Sequence, residues 1–444
     1  MRRLVWSLAI LLTLSKPVAA QSLTDLINQL FIFGNGESPL FLAGTADPNN
    51  PLATQAHADH FIPSAAASNG TLISFISGAV AANISNIPVA ATSSGVTYRF
   101  EGGAPVATST GPGPILTERA QTLGRGRVLV GANVNIINFQ TLRGVGLDNI
   151  GLNFTHTNAD FPGCDAAFGG DCTEVGIPSL ENDVIVVGLT LDLNVVATTF
   201  LLTYGLFDFM DIGVAIPIIS TSMVGTSQAQ VVPFGGPTAA HFFDGTPDNP
   251  NLFANQRVDG STTGLGDIAT RLKIAVSQSS TARFSILGDA RFATGDAENF
   301  LGGGDFSIRG LGIISGQFSG FGPHANVGYL YRKSEMLNDA FLANVGFDQA
   351  LAHWAYVVVD LLSEFQVGDN ELTIPEEFII TQPFRRSVDP TNIPDIRDDI
   401  VNAAVGFKFT SKVGLTGVVN SLWPLNDGGL RPNVMWTAGL EFNF

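Results

Sequence analysis

Charge is scarce in this 444-residue sequence: Asp, Glu, Lys and Arg make up only 14% of it, where soluble chains carry about a quarter. A surface bathed wholly in water is therefore not expected. Long hydrophobic runs are missing too. Beyond residue 20 no stretch of about eighteen consecutive apolar residues occurs, which excludes membrane-spanning helices. Yet 45% of the residues are hydrophobic, so they must be buried in some other way. Basic residues are few, 22 Lys and Arg against 39 Asp and Glu for a net charge of −17. Phosphate recognition needs clustered Lys and Arg, so nucleic acid is excluded as a partner, and acidic loops facing water account for the sign. Only two cysteines occur, Cys164 and Cys172. They stand too far apart for a CxxC redox or metal motif, and zinc would need ligands that are not nearby. In an exported chain they are expected to form a disulfide closing a small Gly-rich loop. No GxSxG, HExxH or SxxK motif is present and the six His are scattered, so no catalytic constellation, metal or cofactor is expected.

The N-terminus supplies an export signal. Met1 to Arg3 give a positive region, Leu4 to Leu14 an apolar one, and Val18-Ala19-Ala20 before Gln21 a small-residue cleavage site, so residues 1–20 read as a signal peptide. As an uncleaved anchor the apolar stretch would be too short to cross a bilayer comfortably. Ser22 with Asp25 resembles a capping box, and Leu23, Leu26, Ile27, Leu30 and Phe31 form one helical face, which predicts an amphipathic helix. From there to residue 94 no strand alternation appears. Residues 21–94 are expected to fold into the lumen of a barrel as a hatch; a disordered periplasmic tail is the alternative.

What the chain has in abundance is Gly (49) and Phe (32), with little Tyr (5) or Trp (4), a balance suited to side chains facing lipid. Near the C-terminus Val434, Trp436, Ala438, Leu440, Phe442 and Phe444 alternate with Met435, Thr437, Gly439, Glu441 and Asn443. Val401 to Phe409 alternate in the same way. Such strands have one greasy face and one polar or small face. A soluble sandwich would also alternate, but the segments are long and recur across the chain. The final aromatic residue, with Trp436, Leu440 and Phe442, has the look of an outer-membrane assembly signal. The reading is an all-β fold: an antiparallel transmembrane β-barrel of about fourteen strands (range twelve to sixteen) over residues 95–444. Residues 95–101 serve as strand one, 147–157 as another, and 184–205 as a single long strand. Short turns then alternate with long connections, which places both barrel ends in the periplasm and the barrel in the outer membrane of a Gram-negative type of cell. Membrane lipid and the barrel-assembly machinery are the implied partners.

The densest polar cluster lies on the hairpin 264–295. Asp267, Arg271 and Lys273 share one face of its first strand, and Arg283, Asp289 and Arg291 one face of its second. With a turn centred on Ser279, Asp267 faces Arg291 directly and Asp289 lies diagonal to Asp267 and Arg271. Such a ladder inside the lumen would either neutralise itself or steer a polar group along the channel. The acidic run Asp389, Asp395, Asp398 and Asp399 reads as a solvated loop in preference to a Ca²⁺ site, and Gly302-Gly303-Gly304 as a flexible loop tip.

At several of these residues the chain resembles the outer-membrane proteins named after a meta-cleavage pathway of phenol degradation. The resemblance rests on Gly113-Pro114-Ile115, Glu118-Arg119-Ala120, Leu123 to Arg127, Tyr204-Gly205-Leu206, Asp211 and Val214 to Pro217. It is strongest at Gly264 to Ile268 with Arg271 and Lys273, then Asp289, Arg291, Thr294-Gly295 and Asn299 to Gly302. Ala293 stands where the pattern often has Pro. The matches span roughly 95–444. The resemblance implies a barrel associated with small hydrophobic or aromatic compounds, and its architecture is similar to the FadL type of fatty-acid transporter, with fourteen strands and an N-terminal hatch. Passive, hatch-gated uptake of such compounds is the leading expectation. A general porin with an open polar lumen and a surface-exposed structural or binding barrel are the alternatives.

Overall fold

The computed structural model describes residues 21–34, 36, 39–42, 44–45, 73–74, 76–79, 98–101, 104–107, 115–155, 183–233, 241–246, 248–279, 282–334, 337–371, 373–380, 384–411 and 413–444. The cleavage site and the cysteine pair Cys164 and Cys172 lie outside them.

Alternating sequence becomes alternating exposure. Twelve strands pair antiparallel with their neighbours: β1 Val128–Leu142, β2 Val184–Phe207, β3 Met210–Val232, β4 Ala269–Gln278, β5 Ala282–Arg291 and β6 Ser307–Gly316, followed by β7 Phe321–Arg332, β8 Ala340–Ala352, β9 Ala355–Gln366, β10 Ile400–Thr410, β11 Leu415–Pro424 and β12 Leu430–Asn443. The circle closes where β12 pairs with β1, Phe442 opposite Val130. At the seam's end the Val128 amide donates to the Phe444 carbonyl at 2.9 Å, and the Phe444 amide to the Val128 carbonyl at 3.0 Å. A closed ring leaves no unpaired edge in lipid, the condition a β-structure must meet to span a membrane.

Twelve is the low end of the expected range, and the two surplus segments are accounted for. Residues 98–101 pair with 104–107 in a separate two-stranded sheet, so strand one is Val128–Leu142. The strand Ile150–Thr155 pairs with the outer half of β2, Ile150 opposite Leu189, and on its other edge only bridges to Thr391. Losing two strands preserves parity. Short turns join β2 to β3, β4 to β5, β6 to β7, β8 to β9 and β10 to β11, and the long connections lie at the other end, the asymmetry of outer-membrane barrels.

Strands β2 and β3 are twice the length needed to span. Their inner halves pair with β1 and β4, and their outer halves carry Ile150–Thr155 and Phe253–Leu265, forming a four-stranded extension beyond the membrane. The outward face records the boundary. On β2 it is apolar from Leu206 and Tyr204 through Phe200 to Val196 with Thr198 between them, then polar at Asn194, Asp192 and Thr190. On β3 it changes from Ile218 to Ser220 and Ser222, and on β1 from Ile136 to Asn138. Ile136 pairs Val196 and Asn138 pairs Asn194, so the change falls at one level on β1 and β2; on β3 it comes one outward-facing position earlier, since Ser220 already stands opposite Val196. Stacked or tilted aromatic pairs ring the short-turn end: Phe207 with Phe209, Trp354 with Phe409, Phe442 with Phe444. An apolar band with aromatic rims is the lipid-facing signature. The barrel is of the outer-membrane type. Trp436, Leu440, Phe442 and Phe444 form one exposed row on this band.

The predicted N-terminal helix, α1, spans Leu23–Gln29, with both hydrogen bonds of the capping box: the Asp25 amide donates to Ser22 Oγ at 3.0 Å, and the Ser22 amide to Asp25 Oδ2 at 3.2 Å. It packs on the inward face of the extension. A methyl at Gly225 would stand 2.7 Å from a Leu30 methyl, and Leu26 lies against Gly260. Ser227 Oγ donates to the Leu30 carbonyl at 2.5 Å, and Phe31 meets Phe154 edge-on. Glycines in the strands thus make room for the leucines of the helix.

Candidate functional site

The lumen is crossed at its waist by residues 115–127, the segment that leads into β1. It has no strand or helix periodicity, and its polar groups are met by the barrel wall instead. Thr117 Oγ1 lies 2.8 Å from His324 Nε2 on β7 and donates to Asp360 Oδ1 on β9 at 2.9 Å. The Glu118 amide donates to Asn326 Oδ1 at 2.8 Å, and Asn326 Nδ2 returns a bond to the Glu118 carbonyl at 2.8 Å. Arg119 pairs with Asp348 on β8. The Ala120 amide reaches Ser315 on β6, and the Leu123 amide reaches Asp211 on β3. Beyond this the Arg125 amide donates to Asp208 in the β2–β3 turn and the Gly126 amide to the Gly205 carbonyl. Gly124 and Gly126 have φ of +89° and +78°, a region open to glycine, which lets the chain turn into β1. Gly205 has no room for a Cβ beside Gly124.

Glu118 is the electrostatic centre. Its carboxylate accepts from Lys273 Nζ at 2.6 Å and from Arg271 Nη1 at 3.3 Å. Arg271 Nε donates to Asp289 Oδ2 at 2.8 Å, and Arg309 Nη2 donates to the same oxygen at 3.0 Å. One chain of ion pairs therefore runs Lys273, Glu118, Arg271, Asp289, Arg309. In a medium of low dielectric a buried charge persists only when it is paired and hydrogen-bonded, and this network meets that condition while tying the crossing segment to β4.

Arg271, Lys273 and Asp289 point toward the crossing segment, and the register of the hairpin differs from the one expected. Asp289, expected diagonal to Arg271, stands directly opposite it, and Arg291 stands opposite Ala269 instead of Asp267. A bulge between Ala275 and Ser277, together with a turn held by Ser279 and Ala282, moves the register. Asp267 plays another part. Its carboxylate accepts the amides of Gly295 at 2.9 Å and Gly303 at 2.8 Å, and Gly302 is packed against it. The triple glycine is therefore a cap around a carboxylate instead of a flexible tip. Arg283 is half-buried and donates to Gln317 at 3.1 Å, away from the network. Arg291 lines the cavity described next.

The acidic run does not form a purely solvated loop either. Asp398 binds Arg143 through Nε at 2.7 Å and Nη2 at 2.8 Å, and the Arg143 side chain is wholly buried. Asp399 accepts the Gln366 amide at 2.7 Å. Among the described residues no group of three or more His, Cys, Asp and Glu side chains could hold a metal ion.

On the outer side of the crossing segment lies a cavity of about 190 Å³. Leu116 of that segment lines it, with Phe139, Leu362, Leu422 and Met435 among its apolar walls and Arg271, Arg291, Arg309 and Arg431 among its polar ones. Sequence reading missed Glu118, Arg309 and Arg431 as members of the site. Arg309 alternates with Ile308 on β6 and was accessible to the same inward-face argument as Arg271. Glu118 lies in a stretch without periodicity, and only its charge in a charge-poor chain marks it.

No family model matches this sequence, and no curated protein matches it. Among solved structures the chain is similar to an outer membrane channel from Pseudomonas putida, at 9% identity over 73% of this chain and 98% of that one with a TM-score of 0.40. It is also similar to the CymD monoaromatic hydrocarbon channel, at 8% identity over 72% and 89% with a TM-score of 0.32. The translocator domain of the autotransporter NalP from Neisseria meningitidis gives 9% identity over 72% and 89% with a TM-score of 0.26. Likenesses at this level carry no argument about what passes through the barrel, whose reading rests on its own geometry.

Proposed function

We propose that the chain is an outer-membrane channel for passive uptake of small hydrophobic or aromatic compounds, closed at its waist in the resting state. The observation that carries the reading is the segment 115–127, bonded to the wall on several sides with a small cavity of mixed apolar and polar walls directly above it. A general porin needs a continuous water-filled path with a charged constriction; here the charged groups of the waist are engaged with one another and with the crossing segment. Cavities that bind small molecules combine apolar walls with placed polar groups, and this one has both. In this reading residues 21–94 act with the crossing segment as the hatch, Asp267, Arg271, Lys273, Arg283, Asp289 and Arg291 hold it or line its path, and Cys164 and Cys172 form a disulfide. Trp436, Leu440, Phe442 and Phe444 serve the barrel-assembly machinery. The resemblance to the phenol-degradation group points to aromatic cargo.

The test is planar-bilayer conductance of the refolded protein beside a variant in which residues 116–122 are replaced by an equal length of Gly and Ser. A silent parent with a conducting variant supports a closed, selective channel. Steady conductance from both makes the protein a porin and overturns the reading.

A further inference from the structure

Seven Arg and Lys side chains are buried among the described residues. Six have a carboxylate within ion-pair distance: Arg119 has Asp348, Arg143 has Asp398, Arg271 and Lys273 share Glu118, Arg332 has Glu364, and Lys408 has Glu441. The seventh, Arg431 on β12, has none within 4.0 Å. It is 6% exposed, and it lines the outer-lumen cavity.

The contacts of Arg431 orient it without neutralising it. Its Nη2 donates to three uncharged oxygens: the Val401 carbonyl at 3.1 Å, Asn402 Oδ1 at 2.6 Å and Asn426 Oδ1 at 3.4 Å. Its Nε is buried and donates to no described acceptor. The same holds for Nε of Arg309, whose Nη2 shares the single Asp289 oxygen with Arg271. Four guanidiniums line this cavity against two carboxylates, Asp289 and Glu364. Glu364 is already engaged by Arg332 at 2.5 Å. In a chain of net charge −17 guanidiniums outnumber carboxylates among the residues that line this cavity. Glu364 and Asp427 act on Arg431 only from beyond ion-pair distance; a buried guanidinium hydrogen-bonded to neutral oxygens is costly, and its fork matches a carboxylate.

We infer that the outer-lumen cavity binds small aromatic or short aliphatic carboxylates, with the carboxylate against Arg431 and the apolar body against Phe139, Leu422 and Met435. The size agrees: a cavity of about 150 Å³ lined by apolar side chains holds benzene, and this one measures about 190 Å³. The inference rests on the uptake reading and narrows its cargo from hydrophobic molecules in general to anionic ones with a single ring or a comparable chain.

The experiment is calorimetric titration of the refolded full chain in detergent with benzoate and with benzyl alcohol, a neutral molecule of similar shape. Wild type is expected to bind benzoate at least tenfold more tightly, and Arg431→Gln to bring the two within threefold of each other with benzyl alcohol unchanged. Leu362→Trp, which fills the apolar side, is expected to weaken both ligands at least tenfold and so place them in this cavity. Equal wild-type affinities, or a preference that survives Arg431→Gln, would overturn the anion inference and leave the uptake reading standing. Binding of neither ligand would remove both. Should Arg431→Gln fail to refold, the wild-type ratio and the Leu362→Trp variant decide the matter by themselves.

Discussion

Glu118 holds two cations of one strand, Lys273 at 2.6 Å and Arg271 at 3.3 Å, and it belongs to the segment that crosses the lumen. Glu118→Gln keeps the shape and removes the charge, leaving Lys273 buried with no carboxylate. Breaking one side of a buried pair costs about 3–5 kcal/mol, so the variant is expected to lose its heat-modifiable mobility at a lower temperature than wild type. Adding Lys273→Met is expected to restore part of the loss, and denaturant titration of the two variants checks it. An additive or worse double variant would show that the pair does not hold the waist. Gly322 makes a steric counterpart: a Cβ there would collide with the Arg119 guanidinium. Gly322→Val is expected to unseat Arg119 from Asp348 and raise basal conductance with the fold intact, read by bilayer recording beside the same gel assay. At this scale the sequence disclosed which charges face inward, because Arg271, Lys273 and Asp289 alternate with Leu272, Ile274 and Ile286. It did not disclose partners. Asp267 bonds to loop amides far along the chain, and the bulge after Ala275 shifts the register that a regular hairpin would have.

The elements divide by whether they carry a period. The long barrel strands alternate against a uniform lipid on one side, so their pattern is strong, and α1 announces itself by its capping box and one apolar face. The crossing segment has neither signal: its backbone is satisfied by Asn326, Ser315 and Asp211, groups brought close by tertiary structure alone. Short strands mislead in the opposite way. Residues 98–101 alternate like a barrel strand yet pair elsewhere, since four residues cannot reveal their partner. The packing of α1 on Gly225 and Gly260 makes its own prediction. Leu26→Ala is expected to destabilise the extension by about 2–5 kcal/mol, as large-to-small changes in packed cores do, while leaving the waist shut. Protease accessibility of the outer loops should rise and bilayer conductance should stay at the parent level. Conductance that opened with this change would make α1, not the crossing segment, the barrier.

For the whole molecule the decisive feature is the zone in which the outward face changes from apolar to polar, between Ile136 and Asn138 on β1, Val196 and Asn194 on β2, and Ile218 and Ser220 on β3. An arginine on the lipid face near the midplane of such a barrel costs about 2–4 kcal/mol and near the interface about 0–1. Phe200→Arg is therefore expected to fall in the first range and Asn194→Arg in the second, measured by reversible unfolding from phospholipid vesicles. Equal costs would mean that the membrane sits elsewhere on these strands. The strand pattern made this boundary legible in outline, since β2 reads as one long strand, but the extension built around its outer half depends on pairings with Ile150–Thr155 and Phe253–Leu265 that no local pattern encodes.

Strands β2 and β3 run unbroken through both compartments, 24 and 23 residues paired almost end to end. Their companions do not: one line of chain breaks at residues 143–149 between β1 and Ile150–Thr155, the other at 266–268 between Phe253–Leu265 and β4. The continuous pair behaves as a mast, stiff across the membrane surface, with its stays interrupted on both sides, opposite residues 190–192 of β2 and opposite residues 216–217 of β3. Any movement of the outer mouth must therefore pivot about that mast and slacken at the two breaks, and the Asp267 cap sits on one of them.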